Sequence, residues 1–491
     1  MKQKPELFEL IKSLSRNEKR YFKLYASSQK GIRNYIKLFN AIERQENYDE
    51  AKIKKLFGEE KFILQIGFTK NYLYNLIIRS LVNYNNYNSV DSKIHSMISQ
   101  SKILFDKALF RQYFKTIQKV KKLCLKYERY GYLLQVLDME KMIIKKEEVL
   151  EGKADAIYNE AVEAMKNLKP MFTFTQIAGN LMAGYREHGV VRSENFNSEI
   201  NEVLGSRVMN ISPADLCSRA KESYYRVHEI VCGINGDYPG LLNALENRLK
   251  AVNESPEPFE DYIIRFPVDI ISAMAETCLK LNRIDEAERY LSQIEGYYPE
   301  NKSDEVDYNI FTVFTKFRIL FKKGLFTEAA GLISQIELLL IQNEGRILID
   351  MELSIKFEII KFYVMVKDFN AALPRANELM NHALIDKRGD YENYLKVIYI
   401  IIHFELGNYE LLKYLLISAY RFLLKRRKLY KLESVILEFI KKLPGLKNEE
   451  GLEYLFHSFR KRLEELKKDK YERNAFEYFD FLKWIDARNI K

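Results

Sequence analysis

A chain of 491 residues with 47% apolar side chains can bury a large core, and its few Gly (20) and Pro (10) favour helix over sheet. Four scattered Cys without a CxxC pair exclude a disulfide framework, and the longest apolar run, Val397 to Ile402, is far too short for a bilayer span. The net charge of +10 is uneven: residues 1–150 hold 30 Lys and Arg against 16 Asp and Glu, residues 151–410 hold 28 against 40, and residues 411–491 hold 20 against 12.

Basic ends around an acidic middle suggest distinct surfaces and leave room for an anionic partner at the N-terminal part. The opening "MKQKPELFELIKSLSR" has an apolar stripe broken by Glu6 and Glu9, not the continuous run of a signal peptide. A reduced, cytoplasmic protein without membrane insertion is the expectation. Residues 1–90 are expected to form an N-terminal helical domain of short, closely spaced helices: "LFELIKSL", "EKRYFKLYAS", "NYIKLFNAIERQ", "DEAKIKKLFG" and "TKNYLYNLIIRSLVNYN". Ser15 and Glu18 in "SRNE" make a capping box, the hydroxyl facing one backbone amide and the carboxylate another. "DEAKIKKLF" and the segment after it can also be read as a helix-turn-helix. Lys61, Gln65, Thr69, Lys70, Asn71 and Arg79 would then supply phosphate and base contacts; the alternative is a plain bundle with a basic polar face. The polar stretch Asn83 to Ser92 marks a boundary.

Residues 93–252 are expected to hold long helices and the first repeats. Helical spacing runs from about residue 95 to 170, while residues 171–211 are the least regular part. Ser212, Pro213 and Asp215 have the order of a helix start: cap, first position, acidic first turn. "NESPEPFED", Asn253 to Asp261, reads as a linker before a last region at 259–491.

From residue 236 onward one turn recurs. Its large residue is Tyr238, Ile284, Phe326, Phe369 and Tyr409 in successive copies, 46, 42, 43 and 40 residues apart. Three residues after each comes Leu241, Ala287, Ala329, Ala372 or Leu412, and Gly, Asn or Asp precedes it. Gly or Asn can close a helix in the left-handed conformation. The large residue is expected to plug the open end of a helical hairpin, and the small one to lie where two helices approach closely. "ENYDEAK" repeats the spacing with Tyr48 and Ala51.

This pattern resembles a divergent tetratricopeptide repeat over roughly residues 215–425, with a longer period and without the early Trp. The resemblance implies an all-α fold, a TPR-like α-solenoid of helical hairpins with an N-terminal helical bundle, that captures a protein or peptide partner on a concave helix face. The charged tail from Glu453 to Ile485 would then cap the array.

Sites of chemistry are sparse. There is no Walker A loop, no Rossmann fingerprint and no G-x-S-x-G elbow. "HEIVC" places His228 and Cys232 one turn apart, a fragment of a zinc motif without a third ligand; Cys232 reads better as a small core residue. The basic run "LLKRRKLYK" fits a helix C-terminus, where the dipole welcomes cations, or an anion-binding patch. No catalytic, cofactor or metal residues are therefore expected. The sequence points to a non-enzymatic interaction scaffold, with a DNA-binding transcriptional regulator as the alternative.

Overall fold

The computed structural model describes residues 6–27, 33–58, 60–85, 89–144, 153–262, 265–299, 302–443 and 449–486. Among these residues all regular structure is helical, and no helix is long and apolar enough to cross a membrane. The four cysteines form no disulfide. The chain divides into two compact units, residues 1–164 and 165–491. The expected boundary at 253–258 falls inside the second unit.

The first unit contains α1 (Glu6–Ser13), α2 (Arg16–Ser27), α3 (Arg33–Glu43), α4 (Glu50–Leu56), α5 (Ile66–Asn85), α6 (Val90–Asp106), α7 (Phe110–Lys126), α8 (Tyr130–Ile144) and the start of α9 (Lys153–His188). It has two cores. Leu7, Phe8, Ile11, Phe22, Phe39, Leu73 and Ile77 join α1, α2, α3 and α5. Ile94, Tyr113, Ile117, Val136 and Ile157 join α6, α7, α8 and α9. The core therefore changes at the polar stretch 83–92, of which residues 86–88 lie outside the described residues. The capping box forms: the Ser15 amide donates to Glu18 Oε2 at 2.7 Å, and the Glu18 amide donates to Ser15 Oγ at 3.3 Å. Ala51 is exposed, so "ENYDEAK" is not a copy of the later turn. Asp49 caps α4 by accepting from the Lys52 amide, and Ile53 is the residue that turns inward.

The second unit continues with α10 (Glu194–Leu204), α11 (Ser218–Asn235), α12 (Tyr238–Glu254), α13 (Arg265–Lys280), α14 (Ile284–Glu295), α15 (Lys302–Lys323) and α16 (Phe326–Gln342). There follow α17 (Ile349–Met365), α18 (Phe369–Met380), α19 (Gly389–Glu405), α20 (Tyr409–Lys425), α21 (Lys431–Lys442), α22 (Glu449–Lys468) and α23 (Phe481–Asp486). From α11 to α20 each helix packs on the next within a hairpin. α13 also packs on α15, α17 on α19, and α19 on α21.

One closure makes most of these corners. Gly236, Asn282, Gly324, Lys367 and Gly407 all have positive φ. The following amide donates back five residues: Asp237 to Cys232, Arg283 to Cys278, Leu325 to Leu320, Asp368 to Tyr363 and Asn408 to His403, at 2.8–3.0 Å. The same closure occurs at Ala108, Glu128 and Arg427, where the sequence offers neither Gly nor Asn. Ala287, Ala329 and Ala372 are fully buried and Leu412 nearly so. Leu241 is only half-buried; α12 turns Leu242 and Leu245 inward instead. The large turn residues cover the hairpin ends only in part. Phe326 and Tyr409 remain 46% and 47% exposed, and Tyr238, Ile284 and Phe369 are half-buried. The small residue three positions on, not the aromatic, makes the close contact.

Other expectations are corrected. Residues 171–188 belong to α9, which runs through Pro170 without a break. Its pattern was illegible because Ile157 and Ala164 enter one core and Phe174 and Leu181 another, so no single stripe runs its length. Ser212 caps only a 3₁₀ turn, Pro213–Asp215, after which Leu216 is extended. "NESPEPFED" is not a free linker: Glu257–Tyr262 is a 3₁₀ helix, and Phe259, 3% exposed, enters the α12–α13 core. The basic run ends α20, with Arg426 paired to Glu392 at 2.7 Å and Lys428 buried, its Nζ 2.7 Å from His188 Nδ1. The tail is no charged cap either: Ala475, Tyr478, Phe479, Phe481 and Trp484 are buried.

Ala287→Arg and Ala329→Arg should each destabilise by at least about 3 kcal/mol, combining overpacking with a buried unpaired charge. Phe326→Ala, at a largely exposed site, should change stability by less than about 1 kcal/mol. Urea unfolding of the three variants checks the ranking.

Candidate functional site

The first helices of successive hairpins share one face. α9, α11, α13, α15 and α17 all contribute to it, and it divides along their length into two parts. The N-terminal halves of α11, α13, α15 and α17, with the middle of α9 and the 3₁₀ helix around Phe259, line a cleft of about 550 Å³. Its walls are apolar (Met171, Phe172, Ile310, Phe311, Leu348, Met351), with Arg219, Arg226, Asp269 and Asp307 between them. Phe172 and Leu348 are 69% and 63% exposed at its edge. On its floor lies Arg248, almost wholly buried, with Nε 2.6 Å from Glu222 and Nη1 2.8 Å from Glu229. Burial raises the Glu229 carboxyl above its ordinary value against the pull of Arg248.

The C-terminal halves of the same helices line a smaller chamber of about 270 Å³. Arg318 pairs with Glu276 at 2.6 Å, Lys361 with Glu358 at 2.6 Å and Lys280 with Glu477 at 2.7 Å. Burial works against the charge of Glu358, yet Lys361 and Arg318 hold its carboxyl below the usual range. Tyr185, Tyr238, Tyr391 and Tyr478 complete the wall, and burial pushes all four phenols upward, so they remain neutral donors. Opposite charges are matched at hydrogen-bond distance, an arrangement suited to holding a shape.

The segment after α22 lines one side of the chamber through Glu477 and Tyr478. Asn474 Nδ2 donates to the Val191 carbonyl at 2.8 Å, and the Tyr478 hydroxyl donates to Asp390 at 3.1 Å and accepts from the Val190 amide. Tyr478 also stacks on Tyr394, with ring centroids 4.1 Å apart. Trp484 Nε1 donates to Glu405 at 2.8 Å. Gly189, at φ 74°, admits this segment: a Cβ there would lie 2.2 Å from the Tyr478 hydroxyl and 2.9 Å from Asp390 Cβ. Beside it, Arg192 is buried against Glu433 and Glu472 and donates to the Tyr394 hydroxyl at 2.7 Å.

The turn residues Tyr238, Ile284, Ala287, Phe326, Ala329, Phe369, Ala372 and Tyr409 mark hairpin corners, and among them only Tyr238 reaches the chamber. The residues proposed for nucleic-acid contact divide. Lys61, Gln65, Asn71 and Arg79 are exposed. Thr69 is buried, its hydroxyl donating to the Gln65 and Phe62 carbonyls, and Lys70 reaches Glu50 at 2.5 Å and Tyr48 at 3.3 Å. These two tie α4 and the turn before α5 to α5, and Thr69 is buried away from any ligand. Leu64 and Phe68, 89% and 66% exposed, lie among the remaining four in the chain.

His228 and Cys232 lie one turn apart on α11, His228 against the Tyr224 ring and Cys232 with its thiol pushed up to about 11 by burial and Asp237. Among the described residues no three His, Cys, Asp or Glu gather to hold a metal. The cleft and chamber were not found from the sequence. Phe311 and Phe317 sit in one helical pattern, and nothing in their spacing says that the first edges a cleft while the second is core. No family model matches the chain, and no curated protein matches it closely.

Arg192→Met should destabilise by about 3–5 kcal/mol, because Glu433 and Glu472 would be left buried together; denaturant unfolding measures it. Lys70 and Lys54 hold the Glu50 carboxyl down to about 2. A depressed carboxyl stabilises the fold above its unfolded value, and that contribution is lost as pH falls from about 4.5 towards 2. Lys70→Met should raise the Glu50 value, read by carbon-detected NMR titration, and shrink the stability lost over that window.

Proposed function

We propose that the second unit is a divergent tetratricopeptide-like α-solenoid, a non-enzymatic cytoplasmic scaffold that takes a segment of a partner protein into the open cleft. The observation that carries this reading is the cleft itself. It is built from the first helices of consecutive hairpins, is edged by the exposed apolar side chains Phe172 and Leu348, and carries charges of both signs between apolar walls. Large apolar side chains that stay exposed around a concave opening are the usual mark of a recognition surface. The recurring closure and the packing of α13 on α15 and α17 on α19 support the repeat reading. The paired charges of the neighbouring chamber support a structural role for that half of the face.

A transcriptional regulator working through α4 and α5 ranks second, since Thr69 and Lys70 are engaged inside their own domain.

Selection from a displayed peptide library on the full-length protein should enrich segments with an apolar anchor. Phe172→Asp combined with Leu348→Asp should weaken an enriched peptide at least tenfold in fluorescence anisotropy with the melting temperature unchanged, because both side chains are exposed. Enriched peptides that bind the double variant as well as wild type would place recognition elsewhere.

A further inference from the structure

The sequence of α7, "FRQYFKTIQKVKKLCLK", contains no Asp or Glu. Its inward stripe is Tyr113, Ile117, Val120 and Cys124, all buried in the α6–α8 core. Arg111, Lys115, Lys119, Lys122 and Lys126 are all exposed. At about 100° per residue these five fall within an arc of roughly 80°, directly opposite the buried stripe. They advance in steps of about 6, 6, 4.5 and 6 Å, so the ridge is about 22 Å long. None of the five is ion-paired among the described residues, whereas Lys121, on the flank of the helix, is held by Glu140 and Glu160 at 3.0 and 2.7 Å.

Five cations on one line, none ion-paired among the described residues, repel one another unless an anion of similar length lies against them. The chemistry of the arc selects among such anions. A helix that lies on a membrane buries its own apolar face in the lipid; the apolar stripe of α7 is already inside the protein. A protein partner needs apolar or aromatic anchors at the centre of its interface; the arc offers none. Single-stranded nucleic acid is held by aromatic stacking, and no aromatic side chain lies within the arc. A duplex backbone needs only cations at intervals: each strand carries a charge about every 3.4 Å of axis, so a line of about 22 Å spans several phosphates.

We propose that α7 is a contact ridge for the phosphate backbone of a nucleic-acid duplex, bound without sequence preference through Arg111, Lys115, Lys119, Lys122 and Lys126. The ridge is independent of the peptide cleft, and it lies on a different helix from the α5 residues considered above. Backbone contacts of this kind position a protein on a duplex and carry no base information.

The test uses the full-length protein with a labelled random-sequence duplex of about 20 base pairs, as DNA and as RNA, and anisotropy from 50 to 200 mM NaCl. Five phosphate contacts give a log–log salt slope of about −4.5. The variant Lys115→Glu, Lys119→Glu, Lys122→Glu should lose at least tenfold in affinity at 50 mM salt, with a slope near −2 and an unchanged melting temperature. The neutral set Lys115→Gln, Lys119→Gln, Lys122→Gln reads the same loss should the charge-reversed protein fail to fold. Lys61→Glu with Arg79→Glu should leave affinity within twofold. Binding of either duplex supports the ridge, and the tighter of the two names the nucleic acid. Absence of duplex binding at 50 mM salt, equal binding by the Lys variants, an equal loss from the Lys61 and Arg79 changes, or binding to phosphatidylserine vesicles in place of duplexes would overturn the proposal.

Discussion

The second unit is organised around one guanidinium. Arg192 lies in the short segment after α9, almost out of reach of water, and faces two carboxylates from far along the chain, Glu433 on α21 and Glu472 beyond α22. Two acids against one base would leave a buried negative charge. The surplus is met by a helix end: Glu472 accepts from the Lys431 and Leu432 amides at 3.0 and 3.2 Å, capping α21 from outside. Tyr430 covers the guanidinium face, with its ring centroid 4.3 Å away. The cluster contributes specificity rather than net attraction, since buried ion pairs barely repay their desolvation. A neutral side chain here would strand two buried carboxylates, so the register of three distant segments is set together.

The same logic accounts for the acidic middle of the chain. Part of its excess of carboxylates is not surface at all. Glu222, Glu229, Glu358 and Asp390 are turned towards Arg248, Lys361 and Arg388, and the first three lie in the walls of the cleft and the chamber. Part of the basic surplus of the first 150 residues behaves differently: on the outer arc of α7 it stays outside, with no ion pair among the described residues.

How much of this was legible depended on whether a residue's type is forced by its local backbone. Gly236, Asn282, Gly324 and Gly407 announced their turns because left-handed backbone favours Gly and Asn. Ala108, Glu128 and Lys367 adopt the same conformation with no such signal, held by the hydrogen bond that reaches back five residues and by packing. Ala287 and Ala329 were legible as close-contact positions because only a small side chain fits there. Thr69 and Lys70 looked like contact residues because polarity alone does not tell solvent from an internal partner. The segment from Asp469 to Asp480 holds only a six-residue 3₁₀ helix, too short for a period to read, and its partners, Val191 and Asp390 among them, lie up to hundreds of residues away.

The clasp at Arg192 also imposes a timetable on the nascent chain. Glu472 is 280 residues downstream of its partner. At 5–20 residues per second, about 15–55 s pass between the emergence of the two. For that interval Arg192 must stay hydrated, and the Val190–Val191 segment has neither Tyr478 nor Asn474 to bond with. The hairpins from α11 to α20 can form as they are made, because their contacts are local. The inner face cannot be completed hairpin by hairpin: its last wall, Glu477 and Tyr478, emerges only after all of those hairpins have been made.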